Sequence, residues 1–228
     1  MAELQDRGFL ELTTVVRDSL LRMSGHVEAM TRDAMHALTH CDKDLAERTA
    51  ALDVHIDRLE VDVDNRCVVG LARFRPVGED LRFLVMSLKM VTDLERLGDL
   101  AVNICERVLE MPEPTSPFSW DLATAMGRLT ESMVHRAVTA FVTSDEALAH
   151  AVIAEDDDVD ALYNAFFQQV FEAMGQQPAS LRGCVHALSI GKWLERMADH
   201  ATNLADHALF LVHGEQAKVQ QCKLASAS

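Results

Sequence analysis

Apolar residues in the first part of the chain recur at intervals of three and four, which is the spacing of an amphipathic α-helix. The pattern predicts one long helix from about Phe9 to Leu38. Its apolar positions include Leu20, Met23, Val27, Met30, Ala34 and Leu38. No strand-length alternation of β-branched and aromatic residues follows, and the chain has only five prolines and ten glycines. The sequence therefore predicts an all-α protein.

Caps and helix breakers define the next two helices. Asp42 is a suitable N-cap for a second helix, which we expect to continue to about Phe74. The segment Arg75-Pro76-Val77-Gly78 then interrupts the helical pattern. A third helix is predicted to begin near Glu79 and to end at the proline-rich segment 111–117.

The end of the third helix recurs a hundred residues later. Segments 94–106 and 194–206 both contain Leu-Glu-Arg-x-x-Asp-x-Ala-x-Asn followed by an apolar residue, an unspecified residue and an acid. The second helix repeats as well, because its Asp-x-x-x-Asp pair at Asp53 is found again at Asp156. The chain is therefore an internal duplication.

The duplication sets the predicted domain organisation. We expect six long helices in two tandem three-helix bundles, because short connections make neighbouring helices antiparallel. The first bundle is predicted over residues 1–113 and the second over 114–214. Residues 215–228 are small and polar, and we expect them to form a frayed C-terminal tail.

Both halves carry pairs of acidic residues four positions apart, which places the members of each pair on the same face of a helix. If the second and third helices of each half turn these faces toward each other, at least four carboxylates converge. Such a group repels itself and requires cations, and oxygen ligands suit Mg²⁺, Mn²⁺, Ca²⁺ or iron. The alternative is a solvated acidic helix face. The candidate metal ligands are Asp53, Asp57, Glu95, Asp99, Asp156, Asp160, Glu195 and Asp199.

Two kinds of cationic residue accompany these acids. Arg96 and Arg196 are predicted to pair with neighbouring carboxylates rather than to act in catalysis. His200 lies about 140° around the helix from Glu195, at about 100° per residue, so a polar contact or a surface position fits it better than metal ligation.

Charge and composition exclude several classes of partner. The formal net charge of −15 argues against a nucleic acid or an anionic bilayer as the main partner. Five cysteines without a Cys-x-x-Cys pair indicate a reducing compartment. No signal pattern and no apolar run of about 20 residues is present, so neither a leader nor a membrane span is expected. We therefore expect a cytoplasmic protein.

The duplicated Glu-Arg-x-x-Asp-x-x-x-Asn block resembles the PhoU family of phosphate-signalling regulators, and so does Met23-Ser24-Gly25 in the first helix. The resemblance covers about residues 9–214. It implies two three-helix bundles related by a pseudo-twofold axis.

The resemblance also implies a function. Members act in the cytoplasm with the high-affinity phosphate ABC transporter, here expected to mean its ATPase subunit, and with a sensor histidine kinase. They repress phosphate-starvation genes when phosphate is plentiful, are commonly dimeric and can hold multinuclear metal clusters. The eight candidate ligands above match the family's metal-binding positions, and iron, zinc, manganese or magnesium is the expected ion.

Two departures separate the halves. Tyr163 and Phe167 stand where the first half has Glu60 and Asp64, so the second site is predicted to have fewer carboxylates. The position equivalent to His200 is a leucine in the first half, so any function of that imidazole is confined to the second half.

Three alternatives to regulation are an enzyme in general, a ferritin-like metal oxidase and an accessory protein of another transporter. The sequence contains no nucleophile–base pair and no phosphate-cradling glycine loop, so we expect no enzymatic activity. A ferritin-like metal oxidase needs Glu-x-x-His pairs, and none of the ten histidines has a glutamate three residues before it. An accessory protein of a low-affinity phosphate or other ion transporter shares the fold and stays an alternative.

Overall fold

Helices make up most of the residues that the computed structural model describes, which are 2–111, 117–177 and 180–214. Within these ranges the chain contains no strand, as the sequence predicts. Six of the helices have 21 residues or more, and two short ones have eight and nine. The helices are α1 (Ala2–His40), α2 (Lys43–Ala50), α3 (Asp53–Phe74), α4 (Gly78–Glu110), α5 (Asp121–Thr143), α6 (Glu146–Ala154), α7 (Asp156–Gln176) and α8 (Leu181–His213).

The helix predicted from Asp42 to Phe74 is divided in the structure. It breaks between α2 and α3, where the backbone N–H of Leu52 bonds to Thr49 at 3.0 Å and that of His55 bonds to Leu52 at 2.9 Å. These bonds to the third preceding residue tighten the chain at the break. Ala46 and Thr49 of α2 are buried. Amphipathic spacing alone did not reveal the break.

The turn that precedes each short helix is built in the same way in both halves. Cys41 and Ser144 adopt the left-handed conformation, with φ of 53° and 55°. The aspartate that follows each of them caps the next helix: the Asp42 carboxylate accepts the backbone N–H of Leu45 at 2.9 Å, and Asp145 makes the equivalent bond at 3.0 Å. The predicted cap at Asp42 is confirmed.

Two three-helix bundles lie side by side. In the first, α1, α3 and α4 pack against one another, and in the second α5, α7 and α8 do the same. The halves meet where α4 packs against α8 and α1 packs against α5. The buried apolar side chains of both halves form one continuous core.

Several predicted features fall wholly or partly outside the described residues. These are most of the proline-rich linker and the tail 215–228. Among the described helices, none combines the length and the hydropathy needed to cross a membrane.

Candidate metal centres

Acidic side chains of α3 and α4 meet where these helices pack together. The charges of Asp57 on α3 and Asp99 on α4 act on the Asp53 carboxylate. Glu95 on α4 is likewise affected by one acid on each helix, Asp99 and Glu60. The first carboxylate cluster consists of Asp53, Asp57, Glu60, Glu95 and Asp99.

Gly98 allows α3 to approach α4 closely at this cluster. A Cβ atom at Gly98 would lie 2.7 Å from Cδ1 of Ile56 and 3.1 Å from Oδ1 of Asp53. That Asp53 oxygen is buried and has no hydrogen-bond partner among the residues that the structure describes. Because a buried carboxylate oxygen without a partner is costly, a cation or a proton would stabilise it.

Burial is the main cause that raises the pKa of three members of the first cluster, and neighbouring carboxylates add to it. Arg96 partly offsets the repulsion. Its Nη1 donates to Oδ2 of Asp99 at 3.2 Å, and its Nε lies 3.4 Å from Oε2 of Glu95. The predicted pairing of Arg96 with carboxylates is confirmed. The three carboxyl groups with raised pKa are Asp53, Glu60 and Glu95.

The second half repeats the arrangement where α7 packs against α8. Burial, followed by the charges of four other acids on the two helices, raises the pKa of Asp156. Lys192 Nζ lies 2.5 Å from one of these acids, Glu195. The second carboxylate cluster consists of Asp156, Asp157, Asp160, Glu195 and Asp199.

The packing beneath the two clusters differs by one methyl group on each side of the contact. In the first half Ile56 faces Gly98. In the second half Val159 and Ala198 stand at the equivalent positions, and both are buried. The smaller side chain on α7 therefore accompanies the larger one on α8, which keeps the combined volume at the contact similar.

The eight predicted ligands thus fall into two groups of four, one in each half. Their charges act on one another, but among residues 2–111, 117–177 and 180–214 no three His, Cys, Asp or Glu side chains form a group that could hold a metal ion as placed. The donors fit a hard cation by their chemistry, and the unpartnered oxygen of Asp53 supports that fit. Metal ligation by these residues stays a prediction.

His200 makes a polar contact across the two halves, as its position off the acidic face predicts. Its Nδ1 lies 2.8 Å from Oδ1 of Asp93 on α4, and Nε2 of His207 lies 2.9 Å from Oδ2 of the same aspartate. All three side chains are less than one-fifth exposed. Burial opposes ionisation of Asp93, but the hydrogen bonds from both imidazoles outweigh it and lower the pKa of this carboxyl.

The other end of this seam has different chemistry. Trp193 stands at the position equivalent to Asp93, and Arg107 at that of His207. The Arg107 guanidinium carbon lies 5.4 Å from the centroid of the Trp193 ring, which is a cation–π contact. The two ends of the α4–α8 seam therefore occupy equivalent positions in the repeat, but one end is held by hydrogen bonds and the other by a cation–π contact.

The predicted ligand set leaves out two members of the clusters, and Asp93 was not predicted at all. Glu60 was counted among the carboxylates of the first site, on the same helix face as Asp53 and Asp57, but was not named as a ligand. Asp157 directly follows the predicted ligand Asp156, and this adjacency was the sequence feature that could have indicated it. No local signal pointed to Asp93, because its partners lie in the other half of the chain.

Comparison with known proteins now identifies the family. The family model described as the PhoU domain matches twice, at residues 20–108 and 123–208. A phosphate-specific transport system accessory protein PhoU homologue from Caulobacter vibrioides is 35% identical over 205 residues, which is 89% of both chains. A homologue of the same description from Pseudomonas aeruginosa is 34% identical over 214 residues, covering 93% of this chain and 85% of the relative.

Solved structures agree with this match. The crystal structure of PhoU from Pseudomonas aeruginosa superposes with a TM-score of 0.87 at 33% identity, covering 91% of this chain and 100% of that one. The phosphate transport system regulatory protein PhoU from Streptococcus pneumoniae superposes with a TM-score of 0.85 at 27% identity, covering 92% and 99%. The fold, both repeats and the sequence identity lead to one conclusion: the chain belongs to the PhoU family.

Proposed function

We propose that this protein is an accessory protein of phosphate transport that regulates phosphate uptake and phosphate-starvation signalling. The observation that carries the proposal is the match over 85% or more of both chains to relatives known as phosphate-specific transport system accessory proteins. The crystallised relative from Streptococcus pneumoniae is likewise described as a phosphate transport system regulatory protein.

The proposed mode of action is protein contact in the cytoplasm rather than catalysis. The partners are the phosphate ABC transporter, through its ATPase subunit, and a sensor histidine kinase, and the protein acts as a homodimer. The formal charge of −15 supports docking to basic protein surfaces and opposes binding to nucleic acid. Light scattering after size-exclusion chromatography tests the dimer, and a monomer at every concentration would contradict it.

We propose that each of the two carboxylate clusters binds metal ions. In the first half Asp53, Asp57, Glu95 and Asp99 would hold the ion, and their equivalents in the second half would hold another. The raised pKa values and the unpartnered Asp53 oxygen support a demand for positive charge. Bound iron, zinc, manganese or magnesium would neutralise the clusters and fix α3 to α4 and α7 to α8. Because the carboxylates form no closed group as placed, an ion would have to draw them together.

A phosphate-starvation reporter tests the regulatory proposal. Alkaline phosphatase or an equivalent reporter is measured in phosphate-rich medium, in the source organism with this gene deleted and then restored. We expect high activity after deletion and repression after restoration. Unchanged activity in the deletion strain would contradict the signalling role and favour an accessory role with a low-affinity transporter.

Equilibrium dialysis tests the metal proposal separately. The protein is dialysed against each candidate ion, and bound metal is measured by mass spectrometry. We expect binding that is lost when Asp53→Asn and Asp156→Asn are combined. Metal retained in full by this double variant would place the ions elsewhere.

A further inference from the structure

α3 and α7, which are equivalent helices of the two halves and each contribute acids to a cluster, differ in charge. α3 has five acidic residues, but it also has three arginines and one histidine. α7 has five acidic residues and no Lys, Arg or His. The surface that α7 contributes is therefore more negative than the surface that α3 contributes.

α7 also presents aromatic side chains where α3 has acids. Tyr163, Phe167 and Phe171 are spaced four residues apart, with successive ring centroids 6.4 and 6.3 Å apart. The rings of Phe167 and Phe171 are within 7° of parallel, and these side chains are 37% and 61% exposed. The equivalents of the first two rings are Glu60 and Asp64. The metal proposal uses none of these three aromatic residues.

We propose that the outer face of α7 is the docking surface for a basic amphipathic helix of a partner protein. Exposed neighbouring aromatic rings mark protein contact sites when polar residues surround them. The acids of α7 select the partner by charge complementarity, because Lys and Arg beside the apolar anchors are attracted and acidic segments are repelled. This inference deepens the proposed function, which acts through protein contact.

Charge disfavours the other occupants of this face. A bilayer rich in anionic lipid would be repelled by Asp157, Asp158 and Glu172, which lie outside the proposed metal ligands, and α7 has no Lys, Arg or His to compensate them. A second copy of the same face would bring like charges together. A basic helix has neither disadvantage.

The face also indicates the pattern that the partner needs. Asp157 and Asp160 are exposed near the start of α7, and Phe171 is exposed near its end. Fourteen residues separate Asp157 from Phe171, or about 21 Å at 1.5 Å per residue. A matching helix spans about four turns, with Leu or Phe over the aromatic rings and Lys or Arg over Asp157, which lies outside the proposed metal ligands.

A designed peptide tests the proposal with the full-length protein. The probe is a fluorescent peptide of about four helical turns with leucines on one face and lysines and arginines beside them. Controls are a scrambled peptide of the same composition and an analogue with glutamate for each basic residue. Fluorescence anisotropy gives the Kd at low and at physiological salt. We expect only the amphipathic basic peptide to bind, with a Kd that rises with salt.

Matched variants locate the binding face. Phe167→Gln/Phe171→Gln should weaken binding by more than about tenfold, since exposed aromatic anchors dominate such contacts. The control in the first half, Val61→Gln/Val68→Gln, changes two of the four exposed valines of α3 and should alter the Kd less than about twofold. All four side chains are exposed, so circular dichroism should show unchanged folding.

Charge variants add a second readout. Asp157→Asn/Glu172→Gln removes two exposed charges of α7 outside the predicted ligand set and should flatten the salt dependence. Equal binding of the scrambled peptide, or equal loss with the α3 control, would overturn the proposal. So would binding of vesicles of anionic lipid through the two phenylalanines, or a dimer that Phe167→Gln/Phe171→Gln dissociates. The reporter assay judges the regulatory function independently, because deletion phenotypes do not depend on the binding face.

Discussion

In the first half, the acids of α3 continue beyond the predicted ligands to Glu60 and Asp64, and burial raises the pKa of both carboxyl groups. In the second half, aromatic residues occupy the same two positions on α7. The four predicted ligands of each half are acidic in both halves, but the next positions along the helix are acids in α3 and aromatic residues in α7, of which Phe167 is exposed. The two copies of a duplicated domain can therefore keep the same acidic residues at the predicted site and differ in the residues about one helical turn further along.

The contact beneath the clusters shows a second difference of the same kind. Ile56 with Gly98 and Val159 with Ala198 are two solutions to one packing problem. Each places the helices close enough for their acids to interact. What the two halves share is the spacing of the helices, and the individual side chains differ.

The largest expected effect is loss of metal from one half alone. Glu95→Ala/Asp99→Ala should lose the first site, and Glu195→Ala/Asp199→Ala the second, because the proposed ligand sets are separate. At a hundredfold excess over Kd, an ion that binds only the folded state contributes about 2.7 kcal/mol to the free energy of unfolding. Chelator should therefore lower the Tm of the wild-type protein by roughly 5–11 °C for each site that it empties.

Metal analysis and thermal melting with and without chelator check this expectation. Each double variant should bind about half the metal of the wild type, as two separate sites require. Loss of all metal from either variant would instead indicate one shared centre. An unchanged Tm in chelator, with no metal in the untreated protein, would favour the solvated acidic face.

The seam between the halves gives the next largest effect. Asp93→Ala would leave two mostly buried imidazoles without their acceptor, so the free energy of unfolding should fall by about 2 kcal/mol. Arg107→Ala at the other end should cost about 1 kcal/mol or less, since its contact with Trp193 is a cation–π interaction of a partly exposed side chain. Urea unfolding measures both. Asp93→Asn keeps one acceptor oxygen and should fall between them. Equal effects at the two ends would contradict the assigned difference.

Periodicity was sufficient to predict six long helices, the duplication and an acidic face on the second and third helices of each half. Each of these features depends on spacing within one helix or on a repeat within one chain. The break between α2 and α3 escaped prediction because it depends on a local tightening of the turn at Leu52. The pairing of Asp93 with two histidines depends on how the halves meet, which no local pattern encodes.

A smaller effect comes from exchanging the packing of the two halves. Gly98→Ala adds a methyl group 2.7 Å from Ile56 Cδ1 and should destabilise the protein by about 1 kcal/mol. Ile56→Val alone removes a buried methyl group and should cost about 1 kcal/mol. The double variant recreates the pair found in the second half and should return close to the wild-type stability.

A double-mutant cycle in urea measures this exchange. The coupling between the two substitutions should be about 1–2 kcal/mol, because they share one contact. Leu20→Val, in the same core and distant in sequence, serves as the control for simple loss of volume and should not be rescued by Gly98→Ala. Additive effects of Ile56→Val and Gly98→Ala would mean that the two positions do not compensate each other.

The smallest effect has the opposite sign and distinguishes a functional cluster from a stabilising one. The pKa of Asp53 and that of Asp156 are raised, with burial as the first cause, so each folded state binds its proton more tightly than the unfolded state does. This contribution to stability is complete below the unfolded pKa and is lost as the pH rises through the raised folded pKa. In metal-free protein at neutral pH, Asp53→Asn or Asp156→Asn should therefore raise the Tm, by up to about 3 °C. The gain should shrink as the pH is lowered, because the wild-type carboxyl groups then become protonated.

Asp62→Asn is the control, since it removes the 2.7 Å ion pair with Arg66 and should leave the Tm unchanged or slightly lower. If all three variants lowered the Tm, the carboxylates of the clusters would be stabilising ordinary contacts, and the case for a cation between the helices would be lost.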